Sequence, residues 1–224
     1  MIPEDDAAPP CNRRRITVTE TIQNTEATAL EPVDPKALDL LFHDARTANT
    51  FSDEPISAET LQAIYELTKM GPTMMNLQSL RITWVQSEAQ RSRLIAHAGG
   101  NNASKAESAP AVAVLSWDAD WHENFPVFFP HAPERKEMFS DADSRALIAR
   151  QNAWLAAGYF MMAVRAQGLA AGPMTGWDFA GVDADFNADS TWNAFMVVNV
   201  GKPGPDAWFP RLPRLDEELA VTTV

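Results

Sequence analysis

The apolar positions of the chain repeat with helical spacing over three segments. A helix is predicted to begin at Asp34-Pro35, where an N-cap residue is followed by a proline. A second helix is predicted to begin near Ser57 and to stop at Gly71. The longest pattern covers 144–167 and is apolar nearly all round over 153–164, which predicts a central buried helix.

Three other segments predict β-strands, because they are continuously apolar or rich in β-branched and aromatic residues. They are 81–85, 111–115 and 195–200, and a helix over 88–98 separates the first two. Strands that alternate with helices predict an α+β or α/β sandwich around one sheet.

The segment 117–141 is long, aromatic and without a clear helix or strand pattern. A connection of this length is typical of a lid or binding loop. We therefore expect Trp121, Phe128 and Phe129 to form a mobile lid over the functional site. The alternative is that these rings fill the core of a dimer.

The two ends of the chain differ in character from its middle. Residues 1–33 are polar and are predicted to form an N-terminal arm or tail, whereas 34–224 form the folded domain. The proline-rich segment 203–213 is expected to run extended over the surface.

Charge and composition exclude several classes of function. The formal net charge of −12 argues against nucleic acid and anionic membranes as partners, so an anionic ligand would need a local cluster of Arg or Lys. The single cysteine, Cys11, supports neither a disulfide framework nor a cysteine metal site. The basic run Arg13-Arg14-Arg15 is followed by no apolar segment, so it is not read as an export signal. We expect a cytoplasmic protein with no membrane-spanning segment.

Several common catalytic signatures are missing from the sequence. There is no G-x-G-x-x-G, no nucleophile elbow and no Walker loop. The run Asp183-x-Asp185-x-Asn187-x-Asp189 resembles a calcium loop but lacks its glycine and its final glutamate. The four histidines do not have metal-ligand spacing, so no metal site is predicted.

Four short segments, in this order and spacing, resemble the nitroreductase family over residues 34–219. Within that family the resemblance is closest to the subgroup that contains the malonic semialdehyde reductase of pyrimidine degradation. The segments are Asp44 to Asn49, Gly71-Pro72-Thr73 with Asn76, Gly172 to Asp178, and Pro210 to Leu215.

The first and last segments, by this resemblance, hold the phosphate of FMN. Arg46, Thr47 and Asn49 match the family's basic segment, although Ala45 and Asn49 replace two of its charged residues. Guanidinium and hydroxyl groups are the donors that a phosphate of roughly −2 charge requires. In the tail, Arg214 aligns best with the family's basic residue, and Arg211 is expected to assist it in binding the phosphate. Lys202 is interpreted as solvated surface charge.

The two middle segments are expected to contact the flavin ring and the ribityl chain. Pro72 and Thr73 are expected to support a turn, and Asn76 to hydrogen-bond the ribityl chain or the pyrimidine side of the ring. Met74 and Met75 could provide an apolar wall or simply pack in the core, and Arg81 could place positive charge near the ring. In Pro173-Met174-Thr175-Gly176 the family uses backbone, with an N–H near Thr175 and Gly176 that points at flavin N5.

The resemblance implies a fold, a reaction and an assembly. The fold is an α+β three-layer sandwich with a mainly antiparallel central sheet flanked by helices, in an intertwined homodimer with sites between the subunits. The reaction is ping-pong transfer of two electrons from NADPH or NADH through FMN, with no catalytic side chain. The expected acceptors are nitroaromatics or quinones, with malonic semialdehyde as the alternative; a flavin-binding or interaction protein without turnover is a second class.

Overall fold

A four-stranded antiparallel sheet forms the centre of the computed structural model, which describes residues 30–224. The strands are β1 (Leu80–Val85), β2 (Ala111–Asp118), β3 (Ala170–Met174) and β4 (Trp192–Gly201). Their order in the sheet is β1-β2-β4-β3, so β1 and β3 are the two edges. Residues 1–29 of the predicted arm lie outside the described residues, and the division of the chain at residue 34 stays a prediction.

Eight α-helices surround the sheet in the part of the chain that the structure describes, and several short turns of other helix types connect them. The helices are α1 (Pro35–Leu38), α2 (Ala58–Thr68), α3 (Glu88–Ile95), α4 (Asn102–Glu107), α5 (Phe125–Phe128), α6 (Ala142–Ala166), α7 (Phe179–Phe186) and α8 (Glu217–Ala220). A π-helical turn (Asp39–His43) follows α1, and 3₁₀ turns cover Met74–Asn76, Trp121–Asn124 and Pro133–Phe139. None of the helices between residues 30 and 224 is long and apolar enough to span a bilayer.

Capping side chains fix where the main helices begin. Ser57 accepts a hydrogen bond from the Thr60 N–H at the start of α2, and Asp141 accepts one from the Ser144 N–H at the start of α6. Such caps satisfy amide groups that have no partner inside the helix. The predicted starts of these helices are therefore confirmed to within two residues.

Helices cover both faces of the sheet. In β2, Ala113 and Leu115 pack with α2 and α6, and Val112 and Val114 pack with α3, α4 and α7 on the other face. Alternate side chains of a strand point to opposite faces, so a strand covered on both sides is apolar throughout. The predicted three-layer α+β sandwich with an antiparallel sheet is confirmed.

Strand β3 and several short helices, including α4 and α7, were not predicted as elements. The Gly172-Pro173 pair within β3 indicates a turn by sequence, but Pro173 is tolerated because β3 is an edge strand. Helices α4 and α7 have only six and eight residues, too few to establish a periodic pattern.

The segment 117–141 folds around a small core of its own, which we call the aromatic mini-core. It consists of Leu77, Trp121, Phe125, Phe139 and Ala149. Trp121 is 0% exposed, its ring packs against Phe125 and Phe139, and its indole N–H donates to the Arg145 carbonyl at 3.3 Å. The prediction that Trp121 belongs to a mobile lid is therefore wrong, because its ring is held inside the chain's own core.

Candidate functional site

The loop 72–79, between α2 and β1, has an unusual backbone. Met75, Asn76 and Gln78 have φ values of 48°, 55° and 46°, in the left-handed region. This conformation costs non-glycine residues roughly 1–3 kcal/mol each and persists only where surrounding contacts impose it. Three such residues among four positions mark the loop as a constrained, candidate functional segment.

Hydrogen bonds inside the loop explain how it keeps this shape. The Asn76 side chain donates to the Phe128 carbonyl at 3.0 Å and accepts from the Gln78 side chain at 3.1 Å, while the Gln78 N–H donates to the Thr73 hydroxyl at 3.4 Å. Pro72 is exposed and Thr73 half-buried at its start. The Asn76 amide keeps one N–H and one lone pair for another partner.

Arg81, at the start of β1, is neutralised within the chain. Its guanidinium lies 2.6 Å from the Asp118 carboxylate, and it also donates to the carbonyls of Gln78 and Leu80 at 2.8 and 2.9 Å. Asp118 accepts a further bond from Thr191 at 2.6 Å. Arg81 therefore ties the end of the loop to the sheet and does not present a free positive charge.

At the other edge of the sheet, the tail runs back along the first segment. We call residues 203–211 the tail strap. The Gly204 N–H donates to the Thr50 carbonyl, and the Asn49 N–H donates to the Ala207 carbonyl, both at 3.0 Å. Ala207 is buried, so this part of the proline-rich tail is a fixed part of the domain.

Three arginines converge where the tail strap meets the first segment. Arg46 donates to the Phe209 carbonyl at 3.4 Å, Arg211 to the carbonyls of His43 and Ala45, and Arg165 to the Leu41 carbonyl at 2.9 Å. Burial lowers the pKa of Arg165, and the charge of Arg211 lowers it further. None of the three arginines lies within 4 Å of a carboxylate anywhere between residues 30 and 224.

An arginine cluster with no counter-charge among the described residues is the local feature that an anionic ligand needs in a chain of net charge −12. Thr47 is exposed and Asn49 half-buried beside it. Of the tail residues considered from sequence, Arg211 belongs to this cluster. Arg214 donates instead to the carbonyls of Leu212 and Pro213 in its own turn, and Lys202 to the Gly168 carbonyl.

The glycine of β3 brings the first segment onto the sheet. The Ala48 N–H donates to the Ala171 carbonyl at 3.3 Å, and a Cβ on Gly172 would lie 2.8 Å from the Ala48 oxygen. The close approach that Gly172 permits is therefore to main chain of the first segment.

The turn that follows β3 presents two free amide groups. The Gly176 carbonyl accepts bonds from the Gly99 N–H and the Asn102 side chain, both at 2.9 Å. The exposed N–H groups of Thr175 and Gly176 have no acceptor within the described part of the chain. Pro173 is half-buried and Met174 buried within β3, so this segment offers main chain to a ligand.

Asn102 is a residue that sequence reasoning missed. It lies in the polar pair Asn101-Asn102 at the start of α4, and nothing in the sequence connects that pair to Gly176. A Cβ on Gly176 would lie 2.8 Å from the Asn102 amide nitrogen. The side chain therefore fixes the turn that carries the two free amides.

The predicted site residues form two groups at opposite edges of the sheet. The β3-edge half contains the first segment, the Thr175-Gly176 turn and the tail strap, whereas the β1-edge half is the loop 72–79. Three strand spacings separate the edges, about 14 Å. In one copy of the chain, the four segments are therefore divided between the two edges of the sheet.

A cavity of about 770 Å³ lies beside the β1-edge half. Its aromatic lining includes Tyr65, Trp84, Phe128 and Trp192. Its two cations, Lys69 and Arg81, are paired with Glu66 and Asp118. Among the described residues, no cation lies within 4 Å of the lining carboxylates Asp120 and Asp189. The cavity is of the size that binds small molecules, and it carries an excess of negative charge.

Sequence comparison places the chain among known proteins. The sequence profile of the Nitroreductase family matches residues 44–202. A Streptomyces coelicolor protein with the provisional name NADH dehydrogenase/NAD(P)H nitroreductase is 54% identical over 193 residues, which cover 86% of this chain and 98% of that protein. The chain belongs to the nitroreductase family. A Leptothrix cholodnii protein with the same provisional name is 40% identical to this nitroreductase, again over 86% of the chain and 98% of the relative.

Solved structures share the fold of this nitroreductase. A provisionally assigned nitroreductase from Bacillus subtilis has a TM-score of 0.72 and 23% identity, and covers 82% of this chain and 97% of its own. A provisionally assigned nitroreductase from Exiguobacterium sibiricum, solved in complex with FMN, has a TM-score of 0.75 and 19% identity, and covers 88% and 100%. The family and the fold inferred from sequence are thus confirmed.

Proposed function

We propose that this nitroreductase is an FMN-dependent NAD(P)H oxidoreductase that reduces nitroaromatic or quinone acceptors by two electrons. The observation that carries the proposal is the β3-edge half. There, arginines that have no carboxylate partner between residues 30 and 224 lie on the same edge of the sheet as two main-chain amides that have no acceptor in that range. That combination suits a ligand with a phosphate at one end and a ring with hydrogen-bond acceptors at the other.

The residues of the β3-edge half fit FMN in charge and in donor type. Arg46 and Arg211, with the Thr47 hydroxyl, would hold the phosphate, which carries roughly −2 charge. The N–H groups of Thr175 and Gly176 would face the ring. When bound, FMN supplies the two-electron chemistry, with NADPH or NADH as the electron donor. The chain's own contribution is to position the cofactor and to supply charge around it.

We further propose that two copies of the chain complete each site. Helix α6 exposes Leu147, Trp154 and Leu155, which are 56%, 40% and 48% exposed. An apolar helix face of this kind favours a partner, and a second copy would cover it by twofold symmetry. In such a homodimer the β1-edge half of one copy would complete the β3-edge half of its partner.

The cavity favours an acceptor without a carboxylate. Its cations are already paired, and Asp120 and Asp189 would repel an anion. Its aromatic walls suit a flat ring. Malonic semialdehyde, the alternative that the subgroup resemblance implies, carries a carboxylate. Among the described residues that line this cavity no cation is unpaired, so nitroaromatics and quinones are preferred.

The first prediction concerns the function as a whole. The purified protein binds FMN with the yellow colour of oxidised flavin, bleaches anaerobically with NADPH or NADH, and recovers its colour when a nitroaromatic is added. Initial rates give parallel double-reciprocal lines because the donor leaves before the acceptor binds. A yellow protein that does not bleach would instead be a flavin-binding protein without turnover, and intersecting lines would exclude the double-displacement order.

A second prediction distinguishes binding of the FMN phosphate from binding of the flavin ring. Replacing both Arg46 and Arg211 by Gln lowers the affinity for FMN by about ten- to a hundredfold, because charge-assisted hydrogen bonds to the phosphate are lost. The affinity for riboflavin, which lacks the phosphate, changes little. Arg135→Gln is the control, because Arg135 is an exposed arginine of the segment 117–141. It leaves the affinities for FMN and for riboflavin unchanged. Equal losses for FMN and riboflavin would place the phosphate elsewhere.

A third prediction tests the shared site by complementation. Arg211→Gln damages the β3-edge half, and Asn76→Gly removes a side chain of the β1-edge half while tolerating its left-handed backbone. A purified heterodimer of the two variants has one intact site and recovers about half of the wild-type activity. Activity no higher than the mean of the two variant homodimers would mean that each site is built within one copy.

A fourth prediction concerns the charge of the acceptor. The test uses three para-substituted nitrobenzenes: nitrobenzylamine, which is a cation, nitrobenzyl alcohol, which is neutral, and nitrophenylacetate, which is an anion. In each of them a methylene separates the substituent from the ring, so the electronic effect on the nitro group is small. We expect kcat/KM to fall in that order, with a step of about tenfold to the anion. In the double variant Asp120→Asn with Asp189→Asn, the difference in kcat/KM between the cationic and the anionic compound becomes smaller. The kcat/KM for the neutral alcohol is unchanged. A preference for the acetate would instead favour a carboxylate substrate such as malonic semialdehyde.

A further inference from the structure

One buried side chain on α6 holds the start of the loop 72–79. Asn152 is 8% exposed, and its side-chain oxygen accepts a hydrogen bond from the Met74 N–H at 2.8 Å. Met74 is the first residue of the 3₁₀ turn, where amides have no partner inside the turn. Asn152 therefore supplies, from a distant part of the chain, the cap that this turn lacks.

Asn152 is itself held in a fixed orientation. Its side-chain nitrogen donates at 2.9 Å to the carbonyl of Ile148, four residues earlier on the same helix. With its donor bonded to the helix, its acceptor is directed at the loop. A buried amide with both ends bonded is a rigid contact point.

The far end of the loop is attached to the same turn of α6. The Ser79 hydroxyl, which is fully buried, donates to the Ala149 carbonyl at 2.7 Å. Residues three apart on a helix lie on one face, so Ala149 and Asn152 form one short docking strip. The left-handed residues Met75, Asn76 and Gln78 lie between the two attachment points.

We propose that Asn152 is a positioning residue of this nitroreductase, which sets the geometry of the β1-edge half for cofactor and acceptor without touching either. This inference rests on the proposed function, because it assumes that the loop contacts FMN. Removal of the Asn152 acceptor releases Met74, and the strained backbone then relaxes toward right-handed conformations. Asn76 consequently loses the orientation in which its remaining N–H is presented.

The test compares two substitutions at Asn152 with a buried asparagine elsewhere. Asn152→Leu keeps the size and removes the acceptor, whereas Asn152→Asp retains an acceptor oxygen for Met74. Asn187→Leu is the control: Asn187 is 4% exposed, and its side chain bonds Ser116 and Asp183, away from the loop. All three variants are compared with the wild type in thermal unfolding, so that a general loss of stability is measured separately.

Two readouts report on the loop beyond stability. Amide hydrogen exchange of the flavin-free protein over residues 72–79 is faster in Asn152→Leu than in Asn187→Leu. The affinity for FMN falls about tenfold in Asn152→Leu, as expected for one buried hydrogen bond, and recovers in part in Asn152→Asp. In Asn152→Leu at saturating FMN, the fold increase in KM for the acceptor is larger than the fold decrease in kcat.

Three results would overturn or separate the claims. Unchanged exchange over 72–79 in Asn152→Leu would show that Asn152 does not hold the loop. Equal losses of FMN affinity in Asn152→Leu and Asn187→Leu would reduce its role to general stability. Failure of the wild type to bind FMN would overturn the proposed function and with it the assignment of Asn152 to a cofactor site, although the exchange measurement would still show whether Asn152 holds the loop.

Discussion

The constraint on which the rest of this molecule depends is that helices cover both faces of its sheet. Alternate residues of β2 and β4 are buried on opposite sides, so most of the length of both strands is packed with apolar side chains. Functional groups are left with the edges of the sheet and the loops at the strand ends. That is where the constrained loop, the free amides and the arginines are found.

The two edges differ in how their arginines are held. At the β3 edge, backbone carbonyls bind the guanidinium groups of Arg46 and Arg211 and orient them without cancelling their charge. At the β1 edge, Arg81 is neutralised by Asp118, and the neighbouring cavity is left with acidic groups in excess. A site that combined the two edges, as we propose, would have a positive end suited to a phosphate and a negative end near the acceptor.

The sequence predicted those parts of the fold that depend on local pattern. The apolar runs of β2 and β4 and the capped starts of α2 and α6 are determined by burial and by nearby hydrogen bonds. Strand β3 was missed because Gly172 and Pro173 oppose strand formation locally, and only its position at an edge makes it possible.

The site was predicted less completely, since its geometry depends on contacts between distant residues. The motifs indicated the segments of the candidate site, but they did not indicate that Asn102 contacts Gly176 or that Asn152 contacts Met74, 78 positions away in sequence. The burial of Trp121 in the aromatic mini-core could not be predicted for the same reason. An aromatic residue in a long connection has the same local sequence whether it closes over a site or fills a small core.

Gly172 joins the sheet to the β3-edge half more directly than any charged residue does. Because the carbonyl oxygen of Ala48 occupies the space that a side chain would need, the sheet edge and the segment carrying Arg46 meet main chain to main chain. A mutation of Gly172 would shift the segment that carries Arg46 together with the strand, so this position cannot be changed without moving the scaffold. Evolution of a new specificity in this lineage therefore has more freedom at the opposite edge, where the cavity is lined by side chains that can be exchanged one at a time.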